Sequence, residues 1–97
     1  MKKTFTLTAE GKNPERILEA VKHEIRKYIK RENRKKLPEN MDYWRFHCEF
    51  GTSKESAKEI EFPEIFKKID TAVAAGATSF YLVLISSAVK RQGREEE

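Results

Sequence analysis

The chain has one cysteine, so it has no internal disulfide, and a single free thiol suits a reducing compartment. It has no run approaching the ~18–20 apolar residues that a membrane span needs; the longest, Phe80 to Ile85, is strand-sized. The opening MKKTFTLT lacks the apolar core of a signal peptide, because Lys and Thr interrupt it. The four glycines are isolated, which excludes a glycine-rich phosphate loop. Two histidines and the cysteine have no zinc spacing. Cys48 and His47 are adjacent, so on a strand their side chains point to opposite faces and form neither a nucleophile–base pair nor a shared metal site. No catalytic residue, metal ligand or cofactor is assigned, and there is no internal repeat. These absences leave a small cytoplasmic, non-enzymatic domain that does not enter a membrane.

What is abundant is charge. Charged residues make up 37% of the 97 residues, and mean hydropathy is −0.75. A chain of this length forms one domain with one core and no deep cavity. The net charge of +4 is unevenly spread. Residues 1–36 hold 12 Lys/Arg against 5 Glu, a balance of +7. Residues 37–97 hold 8 Lys/Arg against 11 Asp/Glu, a balance of −3. That asymmetry bears on encounter and solubility rather than on fold.

Hydrophobic periodicity gives the elements. Lys3 to Thr8 alternates, with Phe5 and Leu7 on one face, and reads as a half-buried strand. Asn13-Pro14 is a helix start, a good N-cap before a proline at the first helical position. Ile17, Leu18, Val21, Ile25, Tyr28 and Ile29 then form one helical stripe, and the helix runs to about Asn33. Asp42 to Phe50 is a strand. Trp44, Phe46, Cys48 and Phe50 share its core face, and Tyr43, Arg45, His47 and Glu49 share the other. Ser56 to Phe62 is either a short strand or irregular chain. Pro63 opens a second helix with Ile65, Phe66, Ile69 and Val73 on its stripe, and Gly76 is the candidate left-handed residue after it. Thr78 to Ser87 is the last strand, apolar on both faces.

The fold class is therefore α+β, a ferredoxin-like split βαβ arrangement (βαββαβ) with two helices on one sheet face. If 56–62 is not a strand, a three-stranded βαβαβ sheet results. The domain spans 1–88, with a flexible tail at 89–97. One feature sits badly with both versions: in the ferredoxin-like order the last strand lies at an edge, yet here it is the most apolar strand. The opening MKKTF, the helix KHEIRKYIKRENRKKLPE, the strand YWRFHCEFG and the segment IDTAVAAGATSFYLVLI together resemble a small bacterial family of unknown function. That resemblance implies a stand-alone cytosolic domain and transfers no site.

Two surfaces are candidates for function. The water-facing side of the first helix carries Lys22, His23, Arg26, Lys27, Lys30 and Arg34. Five like-charge pairs at i,i+4 cost together about 1–2 kcal/mol in an isolated helix. Positive charge near the helix C-terminus recovers part of this. This face is the expected site for RNA or DNA, and a merely solvated charged face is the plain alternative. Tyr81, Val83 and Ile85, with Tyr43, mark the open sheet face as a homodimer interface. Base stacking on Tyr43 and Tyr81 is a third use. Glu49, Glu59 and Glu61 on or near that face oppose it, because they repel phosphate.

Overall fold

The computed structural model describes residues 1–91. Its elements are β1 (Lys2–Thr6), α1 (Pro14–Arg34), β2 (Tyr43–Gly51), β3 (Lys58–Ile60), a 3-10 turn (Phe62–Glu64), α2 (Ile65–Ala74) and β4 (Ser79–Val89). The order is βαββαβ and the class is α+β, with a four-stranded antiparallel sheet. The short β3 settles the 56–62 stretch as a three-residue strand, so the three-stranded alternative does not hold.

The sheet order is β1-β4-β2-β3. Both helical connections are split βαβ units. Through α1, β1 leads to β2 with β4 between them, and through α2, β3 leads to β4 with β2 between them. The last strand is thus interior, flanked by β1 over Ser79–Val83 and by β2 over Tyr81–Val89. This explains its continuous apolar run. An interior strand, covered by the helices on one face and buried at Tyr81 and Val83 on the other, shows little alternation there. Phe80, Leu82 and Leu84 are fully buried beneath the helices, and Tyr81 and Val83 are at least nine-tenths buried on the opposite face.

The core lies between the sheet and both helices. Val21 and Ile25 of α1 and Ile65 and Ile69 of α2 meet Phe5, Cys48, Phe80, Leu82 and Leu84. Phe5, Phe80 and Phe50 stack in sequence across three strands, with centroids 5.2 Å apart at each step, a geometry that adds to simple area burial.

The element ends follow local chemistry. Asn13 Oδ1 accepts from the Glu15 amide at 2.8 Å, and Pro14 fills the first position. At the end of α2, Gly76 takes φ +88°. Its amide donates to Val73 O at 3.0 Å, and the Ala77 amide donates to Ala72 O at 2.9 Å. This is a Schellman close, for which glycine is the low-strain residue. Pro63 does not open α2 directly but sits in the 3-10 turn before it. Gly51 is needed for another reason. A Cβ there would stand 2.6 Å from the Ala57 nitrogen, so only glycine lets the 52–57 loop turn back against the strand. β4 continues to Val89, so the start of the expected tail at 89 belongs to the sheet; residues 92–97 of it lie outside the described residues.

Candidate nucleic-acid interface

The outer face of α1 is built by its inner face. Val21 and Ile25 are buried, and Ile17, Leu18, Tyr28 and Ile29 pack against the core from the sides. At 100° per residue this turns His23, Lys27, Lys30 and Arg34 to water, and all four are exposed. Arg26 is also exposed, but its guanidinium lies over the Phe66 ring, 4.9 Å from the centroid, which steadies it by cation–π attraction.

Lys22 departs from the set. Its Nζ donates to Asp70 Oδ1 at 2.7 Å, and its side chain is only 16% exposed. It ties α1 to α2 rather than facing outward. Of the six expected residues the structure therefore brings five together.

The acids of α1 leave this face largely positive. Lys3 Nζ binds Glu24 Oε2 at 2.6 Å. Glu32 turns inward, where it is 4% exposed. Its Oε1 accepts from Ser86 Oγ at 2.6 Å, and its Oε2 lies 2.9 Å from Lys35 Nζ. These two hydrogen bonds hold its carboxyl below the ordinary glutamate range, outweighing burial, which acts the other way. Among the described residues, no carboxylate comes within 4 Å of Arg26, Lys27, Lys30 or Arg34.

The sequence reading missed Arg31, whose guanidinium stands 5.3 Å from the Tyr28 ring and extends the positive surface. It also missed how the helix end is finished. Trp44 Nε1 donates to Lys35 O at 3.0 Å, satisfying one of the carbonyls a helix leaves unpaired. Trp44 pairs in register with Ala88, so Lys90 and Arg91 lie at the same end of the molecule as Lys35. Sequence reasoning had assigned those two to a tail.

The open sheet face is different. Tyr43 is 42% exposed and Ile85 is 39% exposed, but Tyr81 and Val83 are covered within the single chain. Tyr43 pairs with Val89 and Tyr81 with Gly51, eight residues further along, or about 27 Å. They cannot stack neighbouring bases. His47 Nε2 lies 2.7 Å from Glu49 Oε2, and Nδ1 lies 3.7 Å from Glu59 Oε2. Acid therefore does lie on this face. Among the described residues no three His, Cys, Asp or Glu side chains are placed to hold a metal ion. Cys48 is 1% exposed, and burial, with Glu61 and Glu59 nearby, pushes its thiol up to about 11. No helix among the described residues is long and apolar enough to cross a membrane.

The molecule is thus a two-layer α+β domain with a basic outer helix. The chain belongs to a family of unknown function, DUF6172, whose sequence model matches residues 1–95. No curated protein and no solved structure matches it.

Proposed function

We propose that the chain is a cytoplasmic, non-enzymatic binder of a polyanion, RNA or DNA, through the outer face of α1. The observation that supports this most is the cluster Arg26, Lys27, Lys30 and Arg34, exposed and without a carboxylate within 4 Å among the described residues. The helix carries several like-charge i,i+4 pairs along it, each costing a few tenths of a kcal/mol. A phosphate chain relieves that repulsion and releases its counterions on binding. His23 adds a hydrogen-bonding imidazole in the same row.

Self-association through the open face is the second reading. Its exposed apolar surface is Tyr43 and Ile85, with Tyr81 and Val83 withdrawn into the chain.

One titration tests the first reading. Fluorescent single- and double-stranded oligonucleotides, titrated at low salt, should bind the natural chain. Replacing Arg26, Lys27, Lys30 and Arg34 together by Gln should abolish binding, and Tyr43→Ala should leave it unchanged. Absence of binding to every oligonucleotide, or loss with Tyr43→Ala alone, contradicts the proposal.

A further inference from the structure

The outer edge of β2 is incomplete. β2 pairs with β4 along all of Tyr43–Gly51, but with β3 only over Cys48–Phe50. Among the described residues, no strand pairs with Tyr43–His47 on their outer side. The ladder shows which main-chain groups point there. Leu84 exchanges both of its main-chain hydrogen bonds with Met1, and the Leu7 amide bonds Thr78 O. Even-numbered residues of β4 therefore face β1, and odd-numbered ones face β2. By register, Tyr43, Arg45 and His47 then bond to β4. The N–H and C=O groups of Trp44 and Phe46 are directed to the outer edge.

Beside that edge runs an open groove of about 620 Å³. On the helix side its walls are Trp44, Phe46 and Phe62, the last 37% exposed and stacked on Phe46 at 4.8 Å. On the other side Arg45 is exposed, with no carboxylate within 4 Å among the described residues. Glu59 and Glu61 border the end next to β3.

We propose that this groove takes an extended peptide segment of a partner protein, added to the sheet in line with β3. The segment has the pattern apolar–acidic–apolar. Main-chain bonds to Trp44 and Phe46 hold it by strand addition. Its two apolar side chains lie on the Trp44 and Phe46–Phe62 side, and the acid between them projects to the opposite face and meets Arg45.

Charge decides against a second copy as the occupant. Two β2 edges pairing about a two-fold axis satisfy Trp44 and Phe46 of both chains only in the register that sets Arg45 against its own symmetry mate. Like charges directly opposite destabilise an antiparallel pair. A charged residue in mid-edge is also a common guard against self-pairing.

The test uses the full chain and three capped synthetic peptides: Thr-Val-Glu-Val-Thr, its Lys-for-Glu version, and the Glu peptide N-methylated at both valines. NMR titration should show the Glu peptide shifting the amides of Tyr43–His47. The N-methylated peptide should fail, and the Lys peptide should bind about three- to tenfold more weakly. In the Arg45→Glu variant, with its unchanged amide spectrum elsewhere confirming the fold, that preference should reverse. No shift at millimolar peptide overturns the proposal. So does equal binding of the Glu and Lys peptides, or binding mapped to α1. Concentration-dependent protection of Tyr43–His47 without peptide overturns it in favour of a second copy.

Discussion

At the scale of single residues, two buried polar groups make the account testable. Cys48 sits among apolar neighbours with two carboxylates nearby, and its thiol is pushed up to about 11. At pH 8 this leaves a thiolate fraction on the order of a hundredfold below that of an ordinary cysteine. Thiol reagents should label the native chain at the rate of unfolding and label it at once in denaturant. Fast labelling of the folded chain contradicts the assignment of β2's faces. Glu32 is the second. Its folded carboxyl is held below the ordinary value, so it adds stability that is fully present above about pH 4.3. That stability is lost as pH falls through the lower folded value. Ser86→Ala removes one of its two hydrogen bonds and should cost about 1.5–3 kcal/mol at neutral pH, the range for a bond to a charged group. Urea unfolding at pH 7 and pH 3 should show the penalty shrinking on acidification. An equal penalty at both pH values contradicts an ionised, bonded Glu32. The burial of Glu32 is harder to read from the sequence: it falls seven residues after Ile25, on the apolar stripe, but glutamate is seldom buried.

At the scale of elements, periodicity carried far. The start of α1 at Asn13-Pro14, the split of β2 into a core face and an open face, and the left-handed Gly76 all follow from local chemistry, and each holds in the structure. The ends of the strands shift by one or two residues, where tertiary pairing rather than local pattern decides. The strand order was not legible. Pairing partners are chosen by packing, and the same βαββαβ chain can place its last strand inside or at an edge. The signal was nonetheless present in Tyr81-Leu82-Val83-Leu84-Ile85, too apolar for an edge strand. The withdrawn pair Tyr81 and Val83 follows from the same cause. The like-charge pairs of α1 give a further prediction. Lys30 opposes both Arg26 and Arg34 at i,i+4, so Lys30→Gln should leave stability unchanged or raise it by up to about 1 kcal/mol. Thermal unfolding at low salt measures this, and the gain should fade as salt screens the charges. A loss of more than about 1 kcal/mol means that Lys30 has a folded-state partner and is not a free surface charge.

At the scale of the whole molecule, the positive excess of residues 1–36 becomes a physical surface because α1 lies outermost on one side of the sheet. Two of that segment's five acids are paired: Glu24 with Lys3, and Glu32 with Ser86 and Lys35. The opposite sheet face carries Glu49 and Glu59 around His47. The domain is therefore charged differently on its two sides, and a polyanion should approach from the helix side. Phosphate contacts of this kind position a ligand without reading its sequence, so affinity should depend on the number of positive charges more than on which one is lost. The most direct measurement is the salt dependence of oligonucleotide binding. Log K should fall linearly with log salt, with a slope of about −0.7 to −0.9 for each phosphate engaged. Each single replacement of Arg26, Lys27, Lys30 or Arg34 by Gln should make that slope shallower by a little under one unit, and by a similar amount at all four positions. A slope unchanged by any of the four contradicts the account.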